Sequence, residues 1–184
     1  MSLSISIVFH SGFGHTRRIA QAIAEGGNAS LHEVDQDGVL AATDWEALQV
    51  AGAIVLGSPT YMGSVSWQFK RFMDASSSVW MHQRWKNKLA AGFTNSAGIN
   101  GDKLSTLNGL FTFSQQHGML WVGTGLMPAN AKASTRDDIN YLASFSGLMA
   151  ATPADATPEE MATGDLQTAR VFGERIRQTL QRIQ

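Results

Sequence analysis

The chain has no cysteine, which excludes disulfides, thiolate metal sites and a cysteine nucleophile. Charge is scarce: Asp, Glu, Lys and Arg make up 16% of the residues, and the formal net charge is −1. So small a balance argues against a nucleic-acid surface and against an acidic disordered tail. No apolar run approaches the ~20 residues of a membrane span, so no membrane partner is expected. His10, His32 and His82 show no ligand spacing such as His-Glu-x-x-His, and no metal site is expected. Ser76-Ser77-Ser78 lacks the Gly-x-Ser-x-Gly elbow of a hydrolase. Internal repeats and linkers are missing too. At 184 residues and 43% hydrophobic, residues 1–184 suit one domain with a sizeable core. Met1-Ser2-Leu3 leads straight into strand residues with no signal-peptide pattern, so a cytoplasmic location is expected. The glycosylation acceptor Asn28-Ala29-Ser30 would then go unused.

What is present is a strand feeding a helix through a small polar loop. Ile5-Ser6-Ile7-Val8-Phe9 reads as a buried strand, and from Thr16 the residues Ile19, Ala22 and Ile23 recur at helical spacing. Between them lies Ser11-Gly12-Phe13-Gly14-His15-Thr16. The first N–H groups of a helix have no intrahelical partner and the dipole is positive there, so such a loop makes an anion site. Gly12 and Gly14 let the backbone approach an anion closely, and the Ser11 and Thr16 hydroxyls can bind it or cap the helix. The loop lacks both the Gly-x-Gly-x-x-Gly dinucleotide fingerprint and the Gly-Lys-Ser/Thr of a P-loop, which leaves a phosphate cradle of another kind. Arg17 and Arg18 oppose the dipole's preference for acidic residues, at roughly 0.3–1 kcal/mol each, a cost that a bound anion would offset. The alternative is a plain strand-to-helix turn with solvated arginines.

Further along, Gly26-Gly27-Asn28 is a helix stop and residues 29–34 can form a second strand. Asp35-Gln36-Asp37-Gly38 is a turn, and Thr43 with Glu46 offers a capping box for a short helix ending near Gly52. Ala53-Ile54-Val55-Leu56-Gly57 is apolar on both faces, as a central parallel strand requires. It runs into the loop Ser58-Pro59-Thr60-Tyr61-Met62-Gly63-Ser64, after which Val65, Phe69 and Phe72 mark a helix to about Ser76. An aromatic, basic segment at 79–85 precedes a fourth strand at 89–93, which ends in Thr94-Asn95-Ser96-Ala97-Gly98-Ile99. A helix from about Asp102 to Gln116 leads to His117-Gly118 and a fifth strand at 119–122. Residues 123–151 are the least readable, with a short helix expected at 139–145. A connection of this length is more often functional or interfacial than idle. In the last helix Thr157 is expected as N-cap, Pro158 at N1 and Glu160 at N3, with Ala169, Phe172, Ile176, Leu180 and Ile183 on one face.

Strands alternating with helices imply an α/β fold: a doubly wound five-stranded parallel sheet with helices on both faces. In the order 2-1-3-4-5, ligands bind beyond the carboxyl ends of the strands, between the first and third. The loops there are the phosphate cradle and the Pro59-Thr60-Tyr61-Met62-Gly63 loop, a pairing that suits a mononucleotide with a flat ring.

These motifs, with Gln68-Phe69-Lys70-Arg71-Phe72-Met73-Asp74, Trp80, Thr94-Asn95-Ser96-Ala97-Gly98, His117-Gly118-Met119 and residues 169–175, resemble the flavodoxin-like NAD(P)H:quinone oxidoreductases of the tryptophan-repressor-binding-protein (WrbA) type. The resemblance covers most of the chain in the family's order. It implies noncovalent FMN, with Ser11, Gly12, Phe13, Gly14, His15 and Thr16 around the phosphate. Pro59, Thr60, Tyr61, Met62 and Gly63 would border the isoalloxazine, and Thr94, Asn95, Ser96, Ala97, Gly98 and Ile99 its polar side. It further implies Phe13 beside the nicotinamide, Trp80 as an aromatic lid over a quinone, and His117 as a flavin-contacting, catalytic histidine, often reaching a neighbouring subunit's site. A homo-dimer or homo-tetramer follows from the same resemblance. On the residues alone, Trp80 also reads as a core or interface residue, His117 as a helix terminator and Met62 as a core plug. The segment between the second and third strands is shorter than is usual in the family, and residues 146–152 replace its Gly-Gly-Asp-rich stretch.

The expected activity is two-electron reduction of quinones by NADH or NADPH in a ping-pong cycle through FMN. The alternatives are a flavodoxin-type electron carrier, which would favour a strongly acidic docking surface, and a non-catalytic binding protein of the same fold.

Overall fold

The computed structural model describes residues 2–183. Strand β1 (Ile5–His10) is buried along its whole length and forms parallel ladders on both sides, with β2 (Ser30–Val34) and with β3 (Ala53–Tyr61). On its other edge β3 pairs in parallel with β5 (Leu89–Ser96), and a two-residue strand β4 (Ser64–Val65) folds back antiparallel on Thr60 and Tyr61. Two short strands complete the sheet: β6 (Leu120–Trp121) and β7 (Leu148–Ala151), both parallel to β5. The order is β2-β1-β3-β5-β6, with β7 also on β5.

Alternation along the strands builds two cores. Ile5, Ile7 and Phe9 of β1, Ala53 and Val55 of β3, and Leu89, Ala91 and Phe93 of β5 face helices α1 (His15–Gly27) and α6 (Thr163–Arg182). Val8, Ile54, Leu56 and Ala90 face the other way, onto α2 (Ala42–Val50), α3 (Trp67–Ala75) and α5 (Lys103–Gln116). A five-residue helix α4 (Ser77–Met81) leads into buried Trp85, whose ring stacks near Trp45 and Phe72. Among the described residues no helix is long and apolar enough to cross a membrane.

Five expectations are corrected. The segment from Ser58 is strand as far as Tyr61; only Met62 and Gly63, both at positive φ, form the turn to β4. Pro59 is tolerated there because β1 pairs no further than Gly57, so no partner requires the missing N–H. The Thr43–Glu46 capping box does not form: α2 starts at Ala42, and the Asp44 carboxylate is hydrogen bonded to His32 Nδ1 at 2.8 Å. The fifth strand is split, with β6 on Leu89 and Ala90 and β7 on Phe93 to Ser96, and the intervening segment has turns at 139–145 where a helix was expected. The Thr157–Glu160 capping box is real, but it closes a 3-10 turn (Pro158–Glu160), and α6 begins at Thr163.

Helices α1 and α6 touch backbone to backbone. A Cβ on Gly173 would run into the Ile23 carbonyl, and one on Gly26 into the Arg170 carbonyl. The close contact is at the carboxyl end of α1; its amino end lies at the sheet's carboxyl rim because it follows β1 directly. Gly173→Ala therefore overpacks the interface and is predicted to cost about 1–3 kcal/mol; an unchanged urea midpoint would contradict the packing described.

Candidate cofactor-binding cleft

The carboxyl ends of β1, β3, β5 and β7 open onto one cleft of about 190 Å³. Its walls are Gly12, Phe13, His15 and Thr16 after β1, Pro59, Thr60 and Tyr61 at the end of β3, and Asn95, Ser96 and Ala97 at the end of β5. Thr152 and Ala154, which follow β7, complete it.

The β1–α1 loop is shaped from within. Ser11 Oγ accepts from the amides of Gly14 (3.1 Å) and Arg17 (3.2 Å), so the serine caps the helix and does not line the cleft. Gly14, at φ 91, reverses the chain into α1. Its own groove, shared with Arg18, is a neighbouring one. Arg17 is held by a two-point ion pair with Glu33 of β2, both bonds 2.8 Å. That pair offsets the unfavourable dipole of a cation in the first turn, so no anion is required to neutralise Arg17. Among the described residues no acceptor meets the amides of Phe13, His15 and Thr16, and the Thr16 hydroxyl, on a residue 2% exposed, has no partner. His15 instead anchors the far wall: its Nε2 is 2.8 Å from the Ala156 carbonyl oxygen.

The β3 wall presents a flat ring. Tyr61 leans toward the loop so closely that a Cβ on Gly12 would run into its hydroxyl, and Phe13 meets it edge-on at 6.5 Å. Burial raises the Tyr61 phenol above its ordinary range, which keeps it neutral. Met62 is fully exposed and, with Gly63, stands outside the cleft. Behind the wall the hydroxyls of Thr60, Thr94 and Thr106 form a buried chain with bonds of 2.8 and 2.7 Å. Thr94 thus supports Thr60 rather than facing the cleft. On the third side Thr152 donates to Asn95 Oδ1 at 3.0 Å, which fixes the amide's orientation. Gly98 and Ile99 lie beyond the lining, although both expose their carbonyls to a buried lysine, Lys103.

His117 and Trp80 are not brought to this cleft. The α5 helix runs 14 residues, about 20 Å, away from it. Gly118, next after His117, accepts from the Asn87 amide at the opposite end of β5. His117 is 1% exposed, is hydrogen bonded to Ser76 Oγ through Nε2 at 3.0 Å, and packs between Trp85 and Phe113. Trp80, half exposed, borders the same separate hollow between α3, α4 and α5. Conversely, sequence reasoning missed Thr152, Ala154 and Ala156. The signal was present as Leu148-Met149-Ala150-Ala151 followed by Thr152-Pro153, a short apolar run and a small polar loop like the three before it.

A parallel sheet wound this way, with its cleft at the carboxyl rim, is the flavodoxin-like arrangement. Residues 32–133 match the family described as NADPH-dependent FMN reductase. A Pseudomonas aeruginosa protein called flavodoxin FldP is 47% identical over 170 residues, covering 92% of each chain. An Archaeoglobus fulgidus NAD(P)H dehydrogenase (quinone) is 30% identical, with 97% of this chain and 98% of that one covered. The crystal structure of a flavodoxin, WrbA-like protein from Agrobacterium tumefaciens superposes with a TM-score of 0.83 at 43% identity, and both chains are covered completely. The chain therefore belongs to the NADPH-dependent FMN reductase family and is a WrbA-type flavodoxin-like protein.

The family's cofactor, FMN, fits the residues present. The unpartnered amides and Thr16 hydroxyl suit a phosphate, and the Phe13–Tyr61 rings beside the polar Asn95–Thr152 wall suit a flat heterocycle with a polar edge.

Burial lowers the His117 imidazole to about 4. Between that value and the ordinary ~6.5 the unfolded chain binds more protons than the folded one, so stability is lost as pH falls through this window. Lowering the pH from 7 to 5 is predicted to cost roughly 1–2 kcal/mol that His117→Gln does not lose. Urea titrations at both pH values test this, and an equal loss in both proteins would contradict it.

Proposed function

We propose that this protein is an FMN-dependent NAD(P)H:quinone oxidoreductase, taking two electrons from NADH or NADPH and passing them to a quinone through one cleft in ping-pong fashion. The observation that carries the reading is the joining, at one rim, of a helix-start cradle of unpartnered amides and an exposed aromatic edge. FMN supplies the acceptance and release of hydride. The chain's part is to hold and to exclude: the amides of Phe13, His15 and Thr16 take the phosphate, Tyr61 and Thr60 back the ring, and Asn95 meets its polar side. Phe13, 73% exposed, is free to lie against a nicotinamide or quinone ring. Successive use of one aromatic surface by donor and acceptor is what a ping-pong order requires.

Trp80 reaches a quinone only across a subunit boundary. It is half exposed, beside exposed Met81, so a homo-dimer or homo-tetramer would present it to a neighbour's cleft. His117, buried under Ser76 and Trp85, serves the hollow's packing in this reading and not the chemistry. The location proposed is the cytoplasm, where NADH and NADPH are plentiful.

A second reading, an electron carrier, is favoured by the name of the Pseudomonas aeruginosa relative. A net charge of −1 gives little of the acidic field that steers such carriers to their partners. Steady-state assays separate the two. Benzoquinone is predicted to accelerate NADH or NADPH oxidation by the FMN-loaded protein at least tenfold over the quinone-free rate, and no acceleration with either donor would contradict the enzyme.

A further inference from the structure

Lys103 opens α5 and is completely buried. A cation at the positive end of a helix is disfavoured, and burying an ammonium is costly unless every proton is used. Here all three are. Nζ donates to Ser96 Oγ at 2.9 Å, to the Gly98 carbonyl at 2.6 Å and to the Ile99 carbonyl at 2.8 Å. The loop closes on it tightly: Gly101, at φ 53, has no room for a Cβ against Ser96 Oγ. Ser96 also lines the cleft, so the ammonium lies one hydroxyl behind the wall.

Charged groups face Lys103 from two packed elements, Asp165 on α6 and Arg136 in the 122–147 segment. Its chain neighbour Asp102 is exposed. The Asp165 carboxylate is already engaged, accepting from Arg136 Nη2 at 2.6 Å and from the Ala151 amide at 3.0 Å. One anion between two cations leaves the cluster with a surplus positive charge behind the β5 and β7 ends. Nothing in the cradle or the aromatic wall uses that charge.

We propose that Lys103 is a positioning residue of the cleft. It fixes the loop after β5 through Ser96, Gly98 and Ile99, and its ammonium favours the two-electron-reduced cofactor over the oxidised one. The proposal rests on the FMN reading above. Near neutral pH, FMN takes up two electrons with one proton and so gains one negative charge. A cation held in a low-dielectric wall favours that added charge far more than one in water does. The same coupling acts on the lysine. Burial lowers its ammonium to about 8, and an anion formed beside it raises it again. Above about pH 8, reduction should therefore draw one extra proton onto Nζ.

The test is a redox titration of FMN-loaded wild type, Lys103→Met and Lys103→Gln against a reference dye, after fluorescence titration of oxidised FMN. Both variants are expected to lose at least tenfold in affinity for reduced relative to oxidised FMN, a potential lower by about 30 mV. Lys103→Gln, which keeps a donor for the loop, should lose less oxidised-FMN affinity than Lys103→Met. An unchanged potential in a folded variant overturns the proposal. Should neither variant fold, wild type decides: the protons taken up per two electrons should rise from one to two on passing about pH 8, and a constant count overturns it. Failure of wild type to bind FMN at all would instead overturn the cofactor reading, and this inference with it.

Discussion

The structure turns on unpaired backbone N–H groups at the amino end of α1. A helix start leaves such groups without intrahelical partners, and water or a ligand must take them. The amides of Phe13, His15 and Thr16 have no acceptor among the described residues, while Ser11 takes the neighbouring ones and Glu33 neutralises Arg17. The loop is therefore satisfied everywhere except where it faces the cleft. Its placement follows from the end of β1, from which it leads into α1, and from the β1–β3 pairing that brings Tyr61 against Gly12.

The remaining walls are held by polar networks behind the surface. Thr60, Thr94 and Thr106 link β3, β5 and α5, Thr152 ties the end of β7 to Asn95, and His15 joins the first loop to Ala156. Lys103, Asp165 and Arg136 form the charged counterpart below the β5 and β7 ends. Apart from the Arg136–Asp165 pair, each network reaches the cleft at one end and a different element at the other, which fixes the cleft's shape before any ligand arrives. Pre-organisation of this kind lowers the ordering cost of binding.

Most of the sheet and two of the cleft's walls were legible in the sequence, because apolar alternation and glycine-rich turns are local signals. Ile5 to Phe9 and Ala53 to Gly57 announce central strands, and Ser11 to Thr16 announces a helix-start cradle. The segment at 122–147 was not legible, since it is ordered by long-range polar bonds: Thr124 to the Ser144 carbonyl, Asn140 to the Leu126 carbonyl, Arg136 to Asp165. None of these leaves a period in the sequence. His117 is the opposite case. Its motif was recognisable, but the length of α5 carries it to the other end of the sheet and packing buries it against Trp85. Thr94 stands at the expected strand end with its hydroxyl turned onto Thr60, one step along the pleat from cleft-lining Asn95.

The central claim is that the phosphate of FMN sits on the amides of Phe13, His15 and Thr16. Amide NMR spectra recorded while FMN is titrated into the apoprotein test it most directly. The account predicts saturable one-to-one shifts, largest and downfield at those three amides. Binding of FMN that leaves the three amides unmoved would contradict it.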